Sequence, residues 1–143
     1  MRIQFYPSPE LEAKLNHEAK AKNVSVNTLV IDALNSYYGL LGPNTKSETE
    51  LISAVFEEIA AYVNDPDNFG TEFDINSISD TYYKIDMTYA GKPKAIKARI
   101  GKAFANKVGT PGDFENVTPV YLPNGAVKKS RRNRATVYRV LDK

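Results

Sequence analysis

The chain of 143 residues has no cysteine and no tryptophan, and only one histidine. Without cysteine there is neither a disulfide nor a thiolate metal site, and His17 alone cannot build a zinc centre of imidazoles. No apolar run approaches the roughly 20 residues that a membrane-spanning helix needs. The N-terminus lacks the basic-then-apolar order of a signal peptide, so a cytoplasmic protein is expected. Catalytic signatures are missing too: there is no Ser-His-Asp or Cys-His set, no phosphate-cradling glycine loop and no metal-ligand spacing. His17 falls on a helix surface beside Asn16 and Glu18, and the carboxylates of the middle segment are scattered. No enzyme and no cofactor are expected.

What is present is a segregation of charge. The formal net charge of +2 hides a balanced segment at residues 1–38, a net −8 over residues 39–91 and a net +10 over residues 92–143. Most of the basic side chains sit in two compact blocks, which points to a polyanionic partner for the C-terminal third. The blander alternative is a solvated basic surface set against the acidic middle.

Residues 2–6 alternate strictly, with Ile3 and Phe5 on one side and Arg2, Gln4 and Tyr6 on the other, which predicts a strand. No second strand-like run follows within about thirty residues, so the strand needs a partner, most simply its own copy. Ser8 then caps a helix opened by Pro9 and carried by Leu11, Leu15 and Ala19 to about Asn23. Ser25 caps a second helix through Val30, Ala33, Leu34 and Tyr37 to Gly39.

This order, together with Asn-Val-Ser-Val-Asn-Thr-Leu-Val-Ile-Asp-Ala-Leu, resembles a ribbon-helix-helix DNA-binding domain of the Arc/MetJ type. The resemblance covers residues 2–38, and Asn23 stands where glycine is usual. It implies a homodimer paired through the N-terminal strand. Base reading would fall on Arg2, Gln4 and Tyr6, and a phosphate contact on Ser25, Val26 and Asn27 at a helix N-terminus. The balanced charge of the segment leaves open a ribbon that only dimerises the chain.

Residues 39–46, with Gly42-Pro43-Asn44, read as a linker. Ser47 and Glu50 form a capping box for a third helix carried by Leu51, Ile52, Val55, Phe56, Ile59, Tyr62 and Val63. A short strand at 71–74, a helix at 75–83 capped by Asp74, and a turn at Gly91-Lys92-Pro93 follow. Residues 93–108 then predict a helix with Ile96, Ile100, Phe104 and Val108 on its apolar stripe and Lys94, Lys97 and Arg99 off it. Two strands, 114–122 and 135–141, enclose Pro123-Asn124-Gly125 and the run Lys128, Lys129, Ser130, Arg131, Arg132, Asn133, Arg134, which reads as a hairpin with a basic tip.

This layout over residues 47–143 resembles a winged helix-turn-helix domain. The resemblance implies that Lys94, Lys97 and Arg99 approach the major groove, while Lys128, Lys129, Arg131, Arg132 and Arg134 grip flanking phosphates or the minor groove. The expected fold class is thus α+β and mostly helical, in two domains, 1–38 and 47–143. The expected function is a homodimeric, nucleoid-associated repressor that binds double-stranded DNA and occludes an operator. Two other readings stay open: an antitoxin-like protein that autoregulates its operon while binding a protein partner, and a DNA segregation or architectural protein.

Overall fold

The computed structural model describes residues 1–41, 46–85 and 93–143. The Gly42-Pro43-Asn44 segment, Gly91-Lys92 and the side chains of Pro93 and Lys94 lie outside the described residues. The chain divides into two compact units, Met1–Ile52 and Ser53–Lys143.

In the first unit, each helix starts where a side-chain oxygen can take up a free amide. Helix α1 (Pro9–Lys22) is capped by Ser8, whose Oγ accepts the Leu11 N–H at 3.2 Å. It stops at Asn23, whose φ of 59° sends its N–H back to the Ala19 and Lys20 carbonyls; Asn tolerates this left-handed conformation better than most residues. Helix α2 (Val26–Tyr37) is capped by Ser25, whose Oγ accepts the Thr28 N–H at 3.0 Å. Helix α3 (Glu48–Val63) opens on Ser47, whose Oγ accepts the Glu50 N–H at 3.2 Å. Asp32 of α2 adds a second cap, because its carboxylate accepts the Thr49 N–H at 2.9 Å and the Thr49 hydroxyl at 2.6 Å.

The ribbon-helix-helix expectation is corrected here. Residues 1–8 form no strand, and Ile3, Phe5 and Tyr6 are 75%, 51% and 90% exposed. The physical reason is the one that made the strand need a partner: the first unit offers no other strand to take up its backbone donors and acceptors. Arg2, Gln4 and Tyr6 therefore line no ribbon, and the expected homodimer through paired strands loses its basis.

The second unit is a mixed α+β arrangement, in a chain about half helical, around a small antiparallel sheet. Strands β1 (Glu72–Phe73), β2 (Val117–Pro119) and β3 (Tyr138–Val140) lie in the order β1-β3-β2. Phe73 pairs with Tyr138, and Val117 with Val140. On β3, Tyr138 and Val140 are buried while Arg139 is exposed, the alternation of a sheet with one wet face. Phe104 of α4 (Pro93–Lys107) packs on Phe73 and Tyr138 of the sheet, and the same core buries Val55 and Ile59 of α3 with Ile96 and Ile100 of α4, all at most 4% exposed. The Phe104 ring meets Tyr138 at 4.9 Å and Phe114 at 5.0 Å, both edge-on. Buried Asn116 donates from Nδ2 to the Val63 carbonyl at 2.7 Å, satisfying a free acceptor at the end of α3.

Two expectations change in this unit. The helix predicted at 75–83 is broken at Ser79 into two single turns, Ile75–Ile78 and Asp80–Tyr83. Ser79 is fully buried and extended, with φ −114° and ψ 106°. Ser79 is the N-cap of the second turn, its Oγ accepting the Tyr82 N–H at 3.1 Å, and Glu58 of α3 supports the break, its carboxylate accepting the Thr81 N–H at 3.1 Å and the Ser79 hydroxyl at 3.3 Å. The single hairpin with a basic tip is likewise replaced by two successive turns. Tyr121 bridges Val127 around Pro123-Asn124-Gly125, and Lys129 bridges Thr136 around residues 130–135. The basic run belongs to the second turn, next to β3. Among the described residues, no helix is long and apolar enough to cross a membrane.

Candidate functional site

The basic turn is built by backbone closure first. The Ser130 N–H donates to the Ala135 carbonyl at 2.8 Å, and the Arg134 N–H donates to the Ser130 carbonyl at 2.9 Å. Ser130 Oγ also accepts the Ala135 N–H at 3.2 Å. Closing so tight a turn puts Arg134 at φ 52°, a conformation that costs a side-chain-bearing residue and must be held by its surroundings. Part of that hold comes from Asp74, which is 3% exposed. Its Oδ1 accepts the Ser77 N–H at 2.8 Å as well as the Ser77 hydroxyl, and its Oδ2 accepts Asn133 Nδ2 at 3.0 Å. Burial pushes the Asp74 carboxyl up, but hydrogen bonds from Ser77, Ser130 and Asn133 outweigh it and hold it below the ordinary 3.8.

Around this anchor the basic side chains divide into those already engaged and those that are not. Lys128 Nζ and Arg139 each reach Glu72, at 2.8 and 2.9 Å, and Lys129 Nζ donates to the Thr136 hydroxyl at 2.9 Å. Lys128, and after it Arg139, hold the Glu72 carboxyl below its ordinary value. Arg131, Arg132 and Arg134 are exposed, with no ion pair or side-chain hydrogen bond among the described residues. Arg132 also borders an open groove of about 430 Å³ with Asn76, Asp80 and Tyr83.

On α4, Lys97 is partly buried. Its Nζ donates to Asn76 Oδ1 at 3.0 Å and lies 4.7 Å from the centre of the Tyr82 ring. It is committed to packing within the unit. Arg99 is exposed on the same helix. Lys94, expected beside it, lies outside the described side chains.

The residues expected to act in the first unit are placed differently. Arg2, Gln4 and Tyr6 sit in the irregular N-terminal segment. Ser25 is spent on capping, and Val26 and Asn27 form the first turn of α2. What stands out instead is apolar surface. Ala19 and Leu29 are buried, whereas Leu11, Ile31, Leu34 and Tyr37 are 47%, 48%, 51% and 82% exposed. Phe5, Leu11, Leu15, Leu29, Val30 and Leu34 are among the residues that line a cleft of about 500 Å³. The signal for this surface was present in the sequence, because α2 carries Leu29, Val30, Ile31, Ala33, Leu34 and Tyr37 on more than one face.

A model of the HicB family matches residues 7–34. That stretch is about a fifth of the chain and covers α1 with most of α2. No curated protein and no solved structure matches the chain. Neither the ribbon-helix-helix nor the winged helix-turn-helix resemblance is among the matches, and the likeness that was found, to HicB, falls on the segment that leaves its apolar side chains uncovered.

Proposed function

We propose that this protein is an antitoxin-like regulator, whose first unit takes up a protein partner and whose second unit binds duplex DNA at its own operon. The observation that carries the reading is the HicB match at residues 7–34, since that family is antitoxin-like. The physical support is that the matched helices expose Leu11 and Leu34 at an apolar cleft and leave Ile31 exposed as well. Surface of this kind costs free energy in water and is relieved by a partner. The DNA half of the proposal is supported by the net +10 of residues 92–143 and by the three unengaged arginines of the 130–135 turn. Arginine contacts to phosphate supply affinity without sequence information, so choice of operator is left to other residues, among them Arg99, which is exposed on α4. Repression would follow by occlusion, with the bound protein covering the operator.

The test is growth. Each gene adjacent to this one is expressed alone and then together with it. Arrest by one neighbour, relieved on co-expression, is the expected result; neighbours that are harmless when expressed alone would overturn the antitoxin reading. A repressor without a toxin partner is the second reading, favoured by the arginine turn itself. It predicts operator binding with no toxic neighbour.

A further inference from the structure

The arginines of the 130–135 turn belong to a segment that is tied down at its base. Asn133 donates from Nδ2 to the buried carboxylate of Asp74 at 3.0 Å, which sits 59 residues earlier in the chain at the start of the helical turn Ile75–Ile78. The same carboxylate caps that turn through Ser77. Inside the segment, two backbone hydrogen bonds and the Ser130 hydroxyl close the loop, and Arg134 is held at positive φ. A chain of six residues carrying three like charges would otherwise spread and repel itself. Asn133 is half-buried and Asp74 buried, while Arg131, Arg132 and Arg134 all stay exposed.

We infer that Asp74 is a positioning residue for DNA binding: through Asn133 it fixes the turn so that Arg131, Arg132 and Arg134 are presented together before any phosphate arrives. The inference rests on the reading that the second unit binds DNA. Fixing the turn in advance lowers the conformational entropy lost on binding, because those residues are already ordered. It adds no contact to the nucleic acid. Loss of the tie therefore lowers affinity while leaving the number of phosphate contacts, and hence the salt dependence, as it was.

Asn133→Ala is the first variant, because Asn133 lies outside the apolar core and its loss leaves the Asp74 cap of Ser77 in place. Trypsin cleaves after lysine and arginine, so the rate of cleavage at 131–134, mapped by mass spectrometry in full-length protein, reports opening of the turn without reference to DNA. One side-chain hydrogen bond corresponds to acceleration on the order of three- to tenfold, with cleavage elsewhere unchanged. Duplex binding by the same protein, titrated from low to moderate salt, is expected to weaken by a similar factor with an unchanged slope of log affinity against log salt. Arg131→Ala, by contrast, should flatten that slope by about 0.9 for its lost contact. Asp74→Asn provides a second variant, since asparagine still caps a helix yet no longer offers the second carboxylate oxygen to Asn133. Unaltered cleavage in both variants would overturn the tie itself. Faster cleavage with unaltered DNA affinity would overturn the positioning role. If the natural protein retains no duplex at all, the DNA reading fails with the role, and the cleavage rates still decide whether the tie exists.

Discussion

Asp74 illustrates how a buried charge can be stabilising when its acceptors are used. It accepts hydrogen bonds from Ser77 and Asn133, and its pKa is depressed although burial alone would raise it. A carboxyl whose pKa is lower folded than unfolded binds protons more readily in the unfolded chain. Its contribution is therefore complete above the unfolded value near 3.9 and is lost as pH falls through the lower folded value. We expect the urea midpoint of the natural protein to drop more steeply than that of Asp74→Asn as pH is lowered from about 5 to about 2. Parallel profiles would show that the carboxylate is not stabilised by folding. Asp74 was legible in the sequence as a helix cap, but its tie to Asn133, 59 residues away, was not. No local pattern encodes a contact that depends on where two distant segments are brought by the sheet.

At the scale of elements, capping chemistry made α1, α2 and the start of α3 readable in advance. Ser8, Ser25 and Ser47 are short polar side chains placed immediately before apolar residues at helical spacing, and local hydrogen bonding alone decides such positions. The helix at 75–83 failed to appear as one piece because Ser79 serves as a second N-cap, for Tyr82, and is held there by Glu58, a residue of another helix. The strand at 2–6 failed for the complementary reason: its alternation was correct for a strand, but pairing must come from elsewhere in the unit and does not. Glu58→Ala removes the acceptor for the Thr81 amide and for the hydroxyl proton of fully buried Ser79, whose oxygen still accepts the Tyr82 N–H. Loss of a cap and a buried hydrogen bond predicts destabilisation of about 1 to 2 kcal/mol, read from urea denaturation with an unchanged m value. A change below about 0.5 kcal/mol, within the range of an ordinary surface substitution, would mean that Glu58 does not hold the break.

For the whole molecule, charge segregation and uncovered apolar surface divide between the two units, and the proposed division of labour follows from that. The charge was visible in the sequence by counting. The apolar surface was only half visible, because the apolar residues of α2 read equally well as a face buried in a core until the fold shows Ile31, Leu34 and Tyr37 left outside. The proposed antitoxin-like regulator would join the two properties, with its partner and its operator taken up by different units of one chain. The most direct measurement is sedimentation of purified full-length protein with the product of the toxic neighbouring gene and a duplex from its own upstream region. The account predicts one species containing all three, lost for the toxin partner alone when Leu34→Asp is introduced and for DNA alone when Arg131→Ala and Arg132→Ala are combined. Separate sedimentation of both the partner and the duplex from the natural protein would contradict it.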